Sequence, residues 1–289
     1  MRASTLDIVR QAAKGGYAVG AFNVFDDLSL RSVVQAASAA SSPVIIQLSV
    51  RTARSMGVGL VTAMFNAAAD AVAVPVSLHL DHCPDVAVIE DVVRAGWSSV
   101  LFDASHLDLA EAREQTRRVV DLAHAHGVEV ESEIENIVGV EDGVGSDVLT
   151  HAYTESELVE IAAETGADLL APQLGTAHGL YKGRPVLRPD RVTTLRKLTD
   201  MPIVLHGGTG LADAEFRMFI DAGVSKINVS TAIKRSYMEA SAEALRAARD
   251  ADRWEPLPVL DAVAAKVGET VTAHLQAFGS AGRATGESR

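Results

Sequence analysis

A single cysteine among 289 residues, Cys83, cannot form an internal disulfide, which suits a reducing compartment. Positive charge is also scarce: 26 Lys and Arg face 38 Asp and Glu, a formal net charge of −12. With no local run of basic residues, that balance argues against nucleic acid or an anionic membrane as partner. No apolar run is long enough to span a bilayer, and Met1–Arg10 lacks the apolar core of a secretion signal. A soluble cytoplasmic protein is therefore expected. Disorder is not indicated, because 48% of the residues are hydrophobic and only 22% charged, enough for a large core. Also absent is a Gly-x-Gly-x-x-Gly after the first apolar run, which a Rossmann-type sheet needs there.

What is present is an alternation of short apolar runs with amphipathic segments. Strands are expected near Ala18–Phe22, Val44–Leu48, Val76–Leu80, Ser99–Phe102, Val128–Ile134, Ala167–Gln173, Ile203–Leu205 and Val224–Val229. Their Val, Ile and Leu content on both faces marks parallel strands covered on both sides. Helical patterns separate them, including Leu28–Ser41, Leu60–Ala73 and Leu109–Ala125, and several stop at Gly96, Gly127, Gly166 or Gly223. Eight such β-α units predict an α/β fold, a single-domain (β/α)8 TIM barrel over residues 1–289, with the Rossmann-type sheet as runner-up. Residues 136–153 are too long for an ordinary βα loop and read as a lid over the site. Residues 280–289 read as a flexible tail.

Barrel chemistry sits at the C-terminal strand ends. There the successive strands deliver Asn23; Ser49 and Arg51; Asp81 and His82; Asp103, Ser105 and His106; Glu131 and Glu133; His178; His206; and Asn228, Ser230 and Thr231. Three imidazoles at equivalent strand ends, His82, His178 and His206, with Glu133, make a zinc set open to a substrate ligand. His79 is read as support behind the ligands. Asp103 and Glu131 are read as structural hydrogen-bonding groups, with a transient metal contact as the alternative, and Cys83 as a small packed residue. His124, His126, His151 and His274 are read as surface residues. The run Gly207-Gly-Thr-Gly210, with Asn228 and Thr231, offers backbone amides and hydroxyls without an acid, which suits phosphate. A metal beside a phosphate pocket, with Asp81 free to move a proton, fits a retro-aldol cleavage.

Taken together, Val76-Ser-Leu-His-Leu-Asp-His-Cys83, Phe102-Asp-Ala-Ser-His106, Val130-Glu-Ser-Glu-Ile134, Gly175-Thr-Ala-His-Gly-Leu-Tyr-Lys182, Leu205-His-Gly-Gly-Thr-Gly210 and Lys226-Ile-Asn-Val-Ser-Thr231 carry a resemblance. The chain resembles the class II, metal-dependent ketose-bisphosphate aldolases, the fructose- and tagatose-bisphosphate group, over nearly its whole length. The resemblance implies a homodimer or homotetramer that cleaves a ketose phosphate to dihydroxyacetone phosphate (DHAP) and an aldehyde through a zinc-stabilised enediolate. It implies His82, His178 and His206 as zinc ligands, with Glu133 a fourth or alternative ligand. Asp81 would exchange the C4 hydroxyl proton, and Glu141 a proton on the DHAP-derived carbon. Gly179, Gly207, Thr209, Ser230 and Thr231 would bind the phosphate and Asn228 the DHAP hydroxyl region. Asn23, Ser49, Lys182 and Gly208 join the substrate-binding residues, and a monovalent cation would lie near Gly179 and Gly207.

Two departures bear on the substrate. Glu135 and Val138 replace glycines that the family places in the long loop, which should stiffen that loop or alter its path. Leu257 stands where several members carry an arginine for the distal phosphate. Arg51 is expected either to meet a carboxylate or phosphate on the distal half of the substrate or to form a loop salt bridge. The alternatives are an aldolase for another distal half, acid-bearing as in inositol breakdown or unphosphorylated, and a non-catalytic sugar-phosphate binder.

Overall fold

A strand with branched aliphatic side chains on both faces must be covered on both faces, and each apolar run meets that condition here. The computed structural model describes residues 1–284 except 142, 143, 147, 150, 180 and 182, and of residues 140, 141 and 144–146 the backbone alone. In chain order the strands are β1 (Val19–Asn23), β2 (Val44–Ser49), β3 (Val76–Cys83), β4 (Ser99–Asp103), β5 (Glu129–Glu133), β6 (Gly139–Glu141), β7 (Val144–Ser146), β8 (Leu169–Leu170), β9 (Ile203–Leu205) and β10 (Val224–Val229). Eight of them pair in parallel in the closed order β1-β10-β9-β8-β5-β4-β3-β2, so the expected barrel is present and the open sheet is excluded. The other two, β6 and β7, form a separate antiparallel hairpin inside the long loop.

The helices are α1 (Thr5–Gly15), α2 (Asp27–Ala39), α3 (Val50–Met56), α4 (Val58–Asp70), α5 (Val86–Arg94), α6 (Leu109–His124), α7 (Glu155–Thr165), α8 (Pro189–Leu198), α9 (Asp213–Ala222), α10 (Thr231–Asp250) and α11 (Pro256–Ala277). Reciprocal side-chain caps start two of them, Asp26 with Ser29 at α2 and Thr154 with Glu157 at α7. Around the barrel, buried side chains such as Phe22, Trp97, Phe102 and Phe219 join strands to helices. Each contributes on the order of 1.5–3 kcal/mol by leaving water. A second cluster sets Ile8, Val9 and Ala12 of α1 against Val19, Ala21, Ile45, Leu169 and Val204. Helix α1 thereby plugs one mouth of the barrel and leaves the C-terminal strand ends as the open rim.

Several boundaries differ from the sequence expectation. Strand β3 continues to Cys83 rather than ending at Leu80. The expected sixth strand keeps only Leu169–Leu170 in the ladder. Gly57, at φ +84°, separates α3 from α4, so Arg51 lies on a helix rather than in a loop. Ser280 is buried, Gly282 N–H donates to Ala40 and Ala284 N–H to Ser41, so the tail is packed as far as residue 284. His274, expected at the surface, packs its ring among Phe22, Phe216 and Phe278. Among the described residues no helix is long and apolar enough to cross a membrane.

Candidate active site

Where β3 runs past its neighbour, the pairing with β4 shifts between Leu80 and Cys83, and His82 takes φ +44°. A non-glycine residue in that region costs about 1–2 kcal/mol, a strain that persists where the surroundings hold it for a purpose. The irregularity aims consecutive side chains, Asp81 and His82, at the same rim. Asp81 is almost wholly buried. Its oxygens accept from Asn23 Nδ2 at 3.1 Å, Gln47 Nε2 at 3.3 Å and Asn228 Nδ2 at 3.2 Å. Burial alone would raise its carboxyl, but the charges of His82, His206 and Lys226 and the Asn23 bond outweigh that and hold it below the usual range. Asp81 is thus an ionised proton acceptor on a rigid mount of three amides.

The three expected imidazoles come together. Ring centroids of His82 lie 4.6 Å from His178 and 4.7 Å from His206. One nitrogen of each of the three lies within 4.8 Å of the others. His206 Nε2 donates to Glu131 Oε1 at 2.8 Å, which leaves Nδ1 as a lone pair facing His82 Nε2 at 3.0 Å. Two imidazole nitrogens so placed need a proton or a cation between them. Ligands at zinc's usual 2.0–2.1 Å stand about 3.3 Å apart in a tetrahedral set, so the donor set fits zinc. Burial holds the His178 and His206 rings neutral, as metal ligands must be, and the His82 charge reinforces this. Burial also acts to keep His82 neutral, but Asp81 and Glu133 outweigh it and raise that ring well above its ordinary value.

Glu133 groups with His82 and Asp103, apart from the cluster of three imidazoles. It lies on the other side of His82, 2.8 Å from Nδ1 in a contact without hydrogen-bond alignment. The cause is register: Asp103 and Glu133 are direct neighbours across β4 and β5. Burial pushes the Glu133 carboxyl up to about 7. Asp103 also accepts from the backbone and hydroxyl of Ser105 at 3.0 and 2.6 Å.

Below the imidazoles sits an ion pair to which the sequence reading gave no place. Lys226 Nζ donates to Glu131 Oε2 at 2.6 Å, both fully buried. Glu131 thus bridges Lys226 to His206. His79 stands alongside, Nδ1 on Ser99 Oγ at 2.7 Å and Nε2 3.9 Å from Glu131. Burial, then the Lys226 charge, keeps the His79 ring neutral. The signal for Lys226 was a lone charge inside the apolar run Val224–Val229.

On the phosphate side, Gly207 has φ +69°, and a Cβ there would stand 2.4 Å from the Ala177 carbonyl oxygen, so the turn admits only glycine. Tyr181 OH donates to the Gly207 carbonyl at 2.7 Å, another contact the sequence did not reveal. Thr209 Oγ1 accepts from Ala232 N–H, joining the Gly207–Gly210 turn to the start of α10. Ser230 Oγ and Asn228 Oδ1 are buried without hydrogen-bond partners among the described residues. Unsatisfied buried groups beside a helix N-terminus suit a phosphate-bearing ligand.

Of the remaining expected residues, Ser49 is buried and adjoins Asp81 in the β2–β3 register. Gly179 has φ +83°. Arg51 is exposed and makes no ion pair among the described residues; Arg54 takes the salt bridge on that helix, with Asp85. His106 is exposed. Leu257 is 71% exposed on the first turn of α11. Lys182 and the Glu141 side chain lie outside the described residues.

A barrel with an ionised carboxylate beside three imidazoles at its open rim has the outline of a metal-assisted lyase. The family described as fructose-bisphosphate aldolase class-II matches residues 3–283. A fructose-bisphosphate aldolase of Geobacillus stearothermophilus is 36% identical over 286 residues, covering 97% of this chain and 98% of the relative. A sulfofructosephosphate aldolase of Alkalicoccus urumqiensis is 35% identical over 240 residues, covering 83% and 84%. Among solved structures, the YdjI aldolase from Escherichia coli K12 superposes with a TM-score of 0.85 at 28% identity, covering 98% of this chain and all of that one. The chain belongs to the class II fructose-bisphosphate aldolase family. It is an aldehyde-lyase, and its family acts on phosphosugars.

Proposed function

We propose that the protein reversibly cleaves a ketose phosphate to DHAP and an aldehyde, with zinc as its metal. The observation that carries this reading is Asp81, an ionised carboxylate fixed by three amides beside a neutral imidazole pair. Zinc held by His82, His178 and His206 supplies a Lewis acid for the substrate's ketone oxygen. Asp81 takes the C4 hydroxyl proton as the C3–C4 bond breaks and returns it to the aldehyde oxygen in condensation. Asn228, Ser230 and the Gly207–Thr209 turn hold the DHAP half, with Thr231, Gly179, Asn23, Ser49, Gly208 and Lys182 completing the substrate contacts. Glu133 serves as a fourth or alternative ligand, and Glu141 exchanges the proton on the DHAP-derived carbon. A monovalent cation near Gly179 and Gly207, a homodimer or homotetramer, and a cytoplasmic location belong to the same reading.

The test is Asp81→Ala. The variant should retain zinc and DHAP binding and lose cleavage by at least about 10²-fold, the scale of a positioned acid–base group. Loss of zinc from that variant would contradict the role given to Asp81. Zinc-loaded wild type should exchange a DHAP C3 hydrogen with solvent; zinc and DHAP binding without exchange would mark a non-catalytic binder instead.

A further inference from the structure

The inside of a parallel barrel is ordinarily filled by branched aliphatic side chains. Below the imidazoles this barrel holds polar ones instead, and Thr5, His79, Ser99, Glu131 and Lys226 are all shut off from water. Thr5, on the first turn of the plug helix α1, has its Oγ1 2.7 Å from Ser99 Oγ. Ser99 Oγ lies 2.7 Å from His79 Nδ1, the two residues being direct partners across β3 and β4. The far edge of that ring, Nε2, stands 3.9 Å from Glu131 Oε2, and Glu131 Oε1 accepts from His206. Thr5, Ser99, His79 and Glu131 therefore lead from α1 to a histidine of the trio.

Counting protons gives this column a direction. Each hydroxyl has one proton to donate, and the neutral His79 ring has one N–H. If Thr5 donates to Ser99 and Ser99 to Nδ1, the ring proton lies on Nε2 and faces the Glu131 carboxylate. At 3.9 Å that last contact is longer than a hydrogen bond, but short enough for an N–H dipole to attract a carboxylate. In the opposite direction Nδ1–H donates to Ser99 and Ser99 to Thr5. The Thr5 proton then has no acceptor among the described residues, and the Nε2 lone pair faces a negative charge. In a dry interior both are costly.

We infer that Thr5, Ser99 and His79 form a one-way hydrogen-bond column that presents His79 Nε2–H to Glu131, making His79 a positioning residue for His206. The inference deepens the zinc reading and rests on it. Glu131, drawn by Lys226 and His79 on its Oε2 side, keeps Oε1 toward His206 Nε2–H. His206 in turn keeps Nδ1 toward His82. His79 touches neither substrate nor metal in this scheme; it acts through Glu131, and its own ring is anchored from the plugged mouth of the barrel.

The experiment reads the His79 tautomer by NMR from the ring nitrogens of the full chain, isotope-labelled at histidine, metal-free and zinc-loaded, with His79→Gln to assign the signal. The expected ring is neutral and protonated on Nε2, and Ser99→Ala should move the Nδ1 resonance toward that of an unbonded nitrogen. A wild-type ring protonated on Nδ1, or on both nitrogens, overturns the column. Competition against a zinc chelator supplies the second readout. His79→Leu should weaken zinc binding about 3- to 10-fold, the scale of one hydrogen bond. His79→Gln, whose amide N–H can take the place of Nε2–H, should recover most of that loss. In a Lys226→Met, Glu131→Leu background, His79→Leu should have no further effect, because the group it acts through is gone. Zinc affinity unchanged in His79→Leu, no recovery in His79→Gln, or an undiminished effect in that background overturns the positioning role. A wild type that binds no zinc fails the metal reading instead, while the tautomer still decides the column.

Discussion

Lys226→Met would remove one charge from the barrel interior while nearly conserving volume. Lys226 and Glu131 are both fully buried and 2.6 Å apart, so the variant leaves a carboxylate with His206 Nε2 as its one close hydrogen-bond donor among the described residues. Breaking a buried pair from one side costs about 3–5 kcal/mol, a large share of the roughly 5–15 kcal/mol that holds a typical domain folded. Replacing both partners is different, because no charge is stranded. Lys226→Met with Glu131→Leu should recover most of that loss.

The double variant still lacks the acceptor that fixes the His206 ring. Without Glu131, Nε2–H has no partner to hold Nδ1 toward His82, and zinc affinity should fall about 10- to 100-fold. Urea unfolding of the metal-free proteins gives the first quantity and competition against a zinc chelator the second. A loss below about 1 kcal/mol in Lys226→Met would refute the claim that the pair is an obligate unit. Unchanged zinc affinity in the double variant would refute the claim that Glu131 orients His206.

Cys83 is fully buried and burial pushes its thiol up to about 12, so the folded chain should resist alkylation at pH 8 and react once unfolded in urea; mass spectrometry detects the adduct. The His274 ring is buried among aromatic side chains with its pKa held below the ordinary 6.5, chiefly by desolvation. The unfolded chain therefore takes up that proton first, and the associated stability is present above pH 6.5 and lost as pH falls below it. His274→Phe should flatten the dependence of the urea midpoint on pH between 5 and 7, and an identical slope in both proteins would refute the assignment.

Much of this was legible in the chain because strand ends are where local pattern and tertiary position coincide. The apolar runs fixed the barrel, and a polar residue at the end of such a run had one place to go, the rim. That reasoning singled out His82, His178, His206 and Asp81, whose side chains the structure brings together. Register and depth were not legible. Asp103 draws Glu133 away from the histidine trio because the two are neighbours across a ladder, and nothing local in the sequence states which residues of β4 and β5 are paired. The same ignorance hid the pairing of Lys226 with Glu131, 95 residues apart, and the packing of His274 against the distant Phe22 and Phe216. A lone histidine on an amphipathic helix looks the same in sequence whether its face meets water or the core.

The altered loop shows how a departure from a family pattern can be compensated rather than merely tolerated. Glu135 adds a buried carboxylate where the resemblance leads one to expect a glycine, and a partner accompanies it. Both Arg191 terminal nitrogens donate to Glu135 at 2.8 Å, joined by the Tyr153 N–H and Gln173 N–H at 2.9 Å. That constellation ties the two ends of the loop, 135 and 153, to each other and to the segment leading to His178. Beyond this base the chain turns at Gly139, where φ is +107° and a Cβ would stand 2.5 Å from the His178 carbonyl oxygen. The His178 N–H in turn donates to the Val138 carbonyl at 2.8 Å. The root of the β6–β7 hairpin that carries Glu141 is therefore stitched to the histidine read as a metal ligand. Stiffness at Glu135 removes freedom from the base of the loop. A displacement of the hairpin root pulls on the backbone of His178, which couples the histidine cluster to the element that carries Glu141.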